Sequence, residues 1–233
     1  GGFGEYIRVP ADWVVRLPSG LDLRESMILG TAGVTAALCV EKLIHAGIQN
    51  KSGEILVTGA TGGVGIISVA ILSRLGFSVV ASTGKIAEKN LLETIGASRV
   101  VDRLELNEPS SRPLSKEKWT GAIDVVGGVT LVNVLKSLEY GASVAACGLV
   151  QSPSLEATVF PFILRGVNLL GVDSVEQPRE IKQSVWGKLA NEWKIENLNA
   201  ICTEVSLDGL QANLNQILSG KVVGRIILNL GSS

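Results

Sequence analysis

Short apolar runs alternate along the chain with stretches in which apolar positions recur every three or four residues. The first pattern suits a strand buried on both faces, the second a helix with one covered face. Read this way, strands are predicted at 55–57, 77–83, 99–102, 122–126, 142–147 and 167–172, with helices at 66–75, 86–95 and 130–138 between them. Two further helices precede the first strand, one following Asp22 and one over 35–46 that Gly47 closes. Gly76 and Gly96 stop the next two, because glycine accepts the left-handed conformation that ends a helix. Residues 5–9 and 13–17 read as two short strands or extended segments, and residues 103–120, polar with two prolines, as a crossover loop. Strands alternating with helices predict an α/β fold, a doubly wound Rossmann sheet of six parallel strands. A helix over 181–193, a strand-like 201–205, a helix over 209–218 and a strand over 225–230 then break the pattern. These last strands find no place in a finished six-stranded sheet and, with residues 1–17, read as pieces of a second domain.

The run Glu-Ile-Leu-Val-Thr-Gly-Ala-Thr-Gly-Gly-Val-Gly at 54–65 joins the first strand to the first inter-strand helix through four glycines. A dinucleotide pyrophosphate needs that order: turn glycines remove the Cβ atoms that hold a backbone away from phosphates, and the helix then points free N–H groups at them. The spacing is G-x-x-G-x-x-G (Gly59, Gly62, Gly65) with Gly63 added, and a plain tight connection is the alternative reading. An acid that would hold the adenosine ribose is expected about 20 residues on. None occurs between Glu54 and Glu88. Thr83, Gly84 and Lys85 stand there instead, a hydroxyl, an approachable backbone and a cation, which suit the dianionic 2′-phosphate of NADP(H). The alternative is an ordinary turn with a solvated lysine.

Composition narrows the class. The chain has 233 residues, 46% hydrophobic and 18% charged, with a formal net charge of −1. Near-neutral charge without long basic runs argues against nucleic acid or an anionic membrane as partner. No stretch reaches the ~18–20 uninterrupted apolar residues of a membrane span, and the start does not read as a signal peptide. Cys39, Cys147 and Cys202, scattered in apolar settings, read as buried free thiols of a cytoplasmic protein. They cannot make a four-cysteine zinc site, and His45, the one histidine, reads as a helix-terminal cation. No metal is expected.

Several runs together carry a resemblance: Gly-Thr-Ala-Gly-Val-Thr-Ala at 30–36, the turn at 58–65, Gly-Ala-Ile-Asp-Val-Val-Gly at 121–127, Val-Ala-Ala-Cys-Gly-Leu at 144–149, Phe-Pro-Phe-Ile-Leu-Arg at 160–165 and Leu-Gly-Val-Asp-Ser at 170–174. In colinear order they resemble the zinc-independent medium-chain dehydrogenase/reductases, in the acrylyl-CoA reductase and quinone oxidoreductase-like (YhdH/YhfP) branch. The resemblance implies a GroES-like β domain whose larger part would precede residue 1. Residues 1–22 are its expected remnant, 23–195 the NADP-binding Rossmann domain, and 196–233 the return to the substrate domain. Thr61, Gly62, Gly63 and Val64 match the family's pyrophosphate turn, and Thr83, Gly84 and Lys85 its 2′-phosphate site. Arg103 matches an arginine at the adenosine end. Leu149 and Ser174 match positions along the nicotinamide half, and Ile163 and Ser219 further cofactor neighbours; Leu149 and Ile163 read equally as core.

The activity so implied is an NADPH-dependent, zinc-free oxidoreductase that transfers hydride to an α,β-unsaturated carbonyl, an acrylyl-CoA-like enoyl thioester or a quinone. A non-catalytic NADP(H)-binding protein or inactive fragment is the alternative. No residue stands out as general acid, and hydride transfer demands neither a Ser–His–Asp nor a Cys–His arrangement. Thr31 and Thr35 are candidates for holding the nicotinamide carboxamide or, equally, for capping a helix. The apolar strand at 167–172 would lie at the sheet's open edge, where pairing with a second copy makes a homodimer. The helix over 181–193 covering that edge in a monomer is the alternative.

Overall fold

The computed structural model describes residues 2–50 and 53–231. Gly1 of the expected 1–22 segment and residues 232–233 of the expected 196–233 segment lie outside these residues. The six-stranded sheet is present and wholly parallel. Its strands are β1 (Glu54–Val57), β2 (Ser78–Thr83), β3 (Arg99–Asp102), β4 (Trp119–Asp124), β5 (Leu138–Ala146) and β6 (Asn168–Gly171), in the order β3-β2-β1-β4-β5-β6. The interior strands β1 and β4 are buried almost throughout, as the unbroken apolar runs require.

Helices cover both faces. On one lie α1 (Leu23–His45) and α2 (Gly63–Arg74), whose Ile28, Cys39, Leu43, Ile66 and Ile71 are sealed from solvent in one core with β1 and β2. On the other, α5 (Gly128–Ser137) packs Leu131, Val134 and Leu135 against Leu56, Trp119 and Val144. The shorter α3 (Lys89–Thr94), α4 (Leu104–Asn107) and α6 (Phe160–Arg165) fill crossovers, and α7 (Arg179–Ala190) lies against α1. β7 (Cys202–Val205) and β8 (Arg225–Leu228), joined through α8 (Leu210–Leu218), form a separate two-stranded parallel sheet.

Several expectations are corrected. Residues 5–9 and 13–17 form no strand; Ala11–Trp13 makes one 3-10 turn, and Tyr6 and Trp13 stand exposed without a neighbouring strand to pair. The two helices expected before β1 are both present in α1 and meet at Gly30, whose φ of 50° only glycine adopts readily, so the second begins just after Gly30 and not at residue 35. α1 starts at a capping box, with Asp22 accepting the Glu25 N–H and Glu25 accepting the Asp22 N–H. By length and composition it is long and apolar enough to cross a membrane, yet most of its apolar stretch is buried inside the protein. The stretch 103–120 is not all loop, since it holds α4 and the start of β4, and 160–165 is a helix that the apolar pattern left unassigned.

Candidate functional site

The strand order reverses between β1 and β4, so the crossovers leaving their carboxyl ends diverge to opposite faces and open a crevice. The glycine turn lies at its floor. Gly59 takes φ 58°, and a Cβ on Gly65 would stand 2.3 Å from the Gly59 carbonyl oxygen, so the turn and α2 can pack only as glycines. Gly62 caps α2 with no side-chain acceptor and no acid lies in the first turn, which leaves the amides of Gly63, Val64 and Gly65 facing outward from the helix start. Beneath the turn, Asp124 is fully buried. It accepts the Thr58 hydroxyl at 2.7 Å and the Gly127 and Val126 amides at 2.7 and 3.3 Å, fastening the two strand ends together. Burial raises its pKa, and those donors oppose the rise.

At the end of β2, Thr83 is buried, its Oγ1 2.9 Å from that of Thr61 and accepting the Lys85 amide at 3.0 Å, so it braces the turn from inside. Gly84 serves Arg103: a Cβ there would lie 2.6 Å from Arg103 Nε. Arg103 and Lys85 therefore sit side by side at the crevice rim. Burial lowers the lysine pKa, the neighbouring guanidinium lowers it further, and Glu88 pulls the other way. Lys85 Nζ donates to the Val222 carbonyl at 3.0 Å.

That bond brings in residues which sequence reasoning missed. The segment entering β8 lies across the turn: Gly224 N donates to the Thr61 carbonyl at 2.9 Å, and Arg225 Nε donates to the Ile28 carbonyl at 2.8 Å. The Arg225 guanidinium reaches between Gly30 and Gly63, where a Cβ would meet Nη2 at 3.2 Å and Nη1 at 2.7 Å respectively. It has no carboxylate partner among the described residues, and burial lowers its pKa. A half-buried cation over an uncapped helix N-terminus is a site built for an anion. A lone arginine after Val-Val-Gly carries no local signal of this.

Farther along the crevice, Thr35 Oγ1 contacts the Thr31 carbonyl and Ser174 Oγ, which joins α1 to the loop after β6. Thr35 therefore bonds within its helix and across to Ser174, not to a helix-start amide, so Thr35 is not a cap. Ser174, Gly30 and Thr31 line a cavity of about 480 Å³ with Trp13, Met27 and Trp186. Leu149, 63% exposed, lines a second of about 460 Å³ with Lys42, Cys147 and Asp173. Two expected residues are not brought into this group. Ile163 stands exposed on α6, and Ser219 closes α8 with its hydroxyl donating to Gln216 of the same helix.

The protein-family model described as zinc-binding dehydrogenase matches residues 63–191, more than half of the chain, from the glycine turn to just past α7. The chain belongs to the zinc-binding dehydrogenase family. It is similar over nearly its whole length to Bacillus subtilis YhfP, assigned provisionally as a quinone oxidoreductase, at 46% identity over 231 residues, 99% of this chain and 70% of that one. The crystal structure of YhfP with NAD bound superposes with a TM-score of 0.95 at 45% identity, over 99% of this chain and 70% of that one. The acrylyl-CoA reductase AcuI of Ruegeria pomeroyi is 45% identical over 232 residues, all of this chain and 70% of that one. The yhdH oxidoreductase of Salmonella enterica, solved in complex with NADP, has a TM-score of 0.95 at 43% identity, covering 99% of this chain and 71% of that one. Membership makes the chain part of an oxidoreductase family. Among the described residues no group of three or more His, Cys, Asp or Glu converges, and His45 is exposed at the end of α1.

Proposed function

We propose that this chain binds NADP(H) across the β1/β4 crevice and transfers hydride to an α,β-unsaturated carbonyl, an acrylyl-CoA-like enoyl thioester or a quinone. The observation that carries the reading is the Arg225 guanidinium, without a carboxylate partner among the described residues, seated over the uncapped start of α2 at the switch point of the sheet. Gly62, Gly63 and Val64 supply the amides and Thr61, braced by Thr83, the shape of a pyrophosphate cradle. Lys85 and Arg103 beside Gly84 favour a 2′-phosphate over a bare ribose, since two adjacent cations gain from a dianion. The NADP named with the Salmonella relative supports this choice, while the NAD named with YhfP indicates modest discrimination.

Bound in this crevice, the nicotinamide supplies the hydride. The chain's part is orientation and exclusion of water. Thr35 Oγ1 donates its one proton toward the Thr31 carbonyl and Ser174 Oγ, so the Ser174 hydroxyl keeps its own proton and a lone pair for the nicotinamide carboxamide. Leu149 offers an apolar wall where the loop leaves β5. Ile163 and Ser219 remain in the proposed set as neighbours of the cofactor through segments that flank the site. The AcuI relative supports the thioester and YhfP the quinone.

The same reading divides the chain into a 1–22 segment and a 196–233 segment of a GroES-like substrate domain around a 23–195 cofactor domain, supported by the separate β7/β8 sheet. It pairs two copies through β6, which ends the sheet while α7 packs on α1 instead of covering it, and it places the protein in the cytoplasm. Titration of cofactor fluorescence followed by turnover with acrylyl-CoA and a quinone panel tests the reading. Saturable NADPH binding with oxidation on adding one substrate is expected. Binding without oxidation across the panel selects the non-catalytic alternative, and no binding overturns the site.

A further inference from the structure

A short strap of backbone, residues 222–225 between α8 and β8, is fastened at three points around the glycine turn. The Val222 carbonyl accepts from Lys85 Nζ at 3.0 Å, the Gly224 amide donates to the Thr61 carbonyl at 2.9 Å, and Arg225 Nε donates to the Ile28 carbonyl at 2.8 Å. The strap has little freedom of its own. The Lys221 amide is tied back to the Gln216 carbonyl of α8 at 2.9 Å. Gly224 takes φ 67°, and a Cβ there would stand 2.2 Å from the Ile201 carbonyl oxygen. The Val222 carbonyl is therefore a fixed acceptor, brought to the end of β2 from 137 residues away in the chain.

A lysine in this position gains from such an acceptor. Its ammonium is a compact charge on a flexible stem, whose rotamer freedom is lost when it settles on a ligand. Burial and the neighbouring Arg103 guanidinium both disfavour the charge, so an untethered stem would swing out to water. An ammonium carries three N–H donors. Val222 takes one, and no other bond from Lys85 Nζ is made among the described residues.

We propose that the Val222 carbonyl is a positioning element for NADP(H) selectivity, holding the Lys85 ammonium at the crevice rim with two donors left for the 2′-phosphate, a role that rests on the reading of Lys85 as a 2′-phosphate ligand given above. Carbonyl and phosphate are not rivals, because separate N–H groups serve them. Fixing the stem before the cofactor arrives removes part of the ordering cost of binding. Selectivity then depends on the β7/β8 sheet as well as on the crevice. A shift of the strap moves the ammonium even when every cofactor-facing side chain is unchanged.

The test reads the ratio of the NADH to the NADPH dissociation constant by fluorescence titration. General loosening of the fold weakens both cofactors alike and leaves that ratio unmoved. Gly224→Ala displaces the strap, since its Cβ has no room beside Ile201. The ratio is expected to fall about three- to tenfold, the worth of one hydrogen bond. Added to Lys85→Met, the same substitution should leave the ratio of that variant unchanged. A second variant adds no bulk and so avoids misfolding: full-length chain, assembled by ligation at Cys202, with the 222–223 amide replaced by an ester. The ester weakens the Val222 carbonyl as acceptor and removes only the Val223 N–H, which has no acceptor among the described residues. It should lower the ratio in the same direction. Equal losses for the two cofactors in both variants overturn the positioning role, and a rising ratio overturns it by showing the carbonyl in competition with the phosphate. A Lys85→Met ratio equal to that of the wild type overturns the 2′-phosphate reading itself, and this role with it.

Discussion

Thr35 Oγ1 on α1 lies 2.9 Å from Ser174 Oγ in the loop after β6, a bond between two residues that no sequence proximity links. It sets where one end of the crevice closes. Ser174→Ala removes a hydroxyl that the fold does not need, since Thr35 keeps its Thr31 acceptor. We expect NADPH affinity to fall by about 1 kcal/mol with the melting temperature nearly unchanged. Thr35→Val should cost about 1–2 kcal/mol of stability as well, because it strips a buried hydroxyl from two partners. Fluorescence titration and thermal melts on both variants check this; equal melting losses in the two would contradict the assignment.

Lys85→Glu should weaken NADPH by about 2–4 kcal/mol and NADH far less, because it replaces attraction to a dianion with repulsion while the remaining contacts are common to both cofactors. Arg103→Ala should act in the same direction. Titrating both cofactors side by side is the measurement, and equal losses would sink the 2′-phosphate site.

Arg225→Met behaves otherwise. Pyrophosphate is common to NADH and NADPH, so both should lose a similar ~1.5–3 kcal/mol, the worth of hydrogen bonds to a charged group. Affinity for either cofactor should also become less sensitive to salt. A loss confined to NADPH would move Arg225 to the adenosine end.

Asp124 makes stability depend on pH. Its folded pKa is raised, so the folded state keeps the proton to higher pH than the unfolded chain does. Its contribution is therefore most favourable below the ordinary carboxylate value, declines as pH rises through that value to the raised one, and is flat above. Asp124→Asn removes this slope and sets an amide N–H against the Gly127 amide, costing about 1–3 kcal/mol at neutral pH. Urea unfolding of both proteins over a pH series tests it. A wild-type minus variant difference that is constant from acid to neutral pH, or that grows with rising pH, would count against the raised carboxylate.

Leu169→Lys probes the β6 edge. The side chain is half-buried at the last strand of the sheet, and a charge there opposes strand pairing with a second copy. Light scattering should give the mass of a dimer for the wild type and of a single chain for the variant. A wild-type mass equal to one chain at micromolar concentration excludes the dimer.

The sequence by itself determined the sheet and its glycine turn. The short apolar run at 55–57 between turn residues reads as a strand buried on both faces, and Gly59 and Gly65 stand where the turn admits no Cβ, so both are local facts written in residue type. It likewise set the even spacing of helix stops at Gly76 and Gly96, which take positive φ. What only the tertiary structure decided is which side chains meet at the crevice. Thr83 meets Thr61, because a buried hydroxyl must find a partner and the nearest one is across the turn. Gly84 is small for Arg103, a neighbour supplied by the end of the next strand. Arg225 reaches the turn from the far end of the chain because β8 pairs with β7 and directs its first side chain back between Gly30 and Gly63. Periodicity reports the face a residue presents; the partner it meets there depends on how separate elements pack, and no local pattern encodes that.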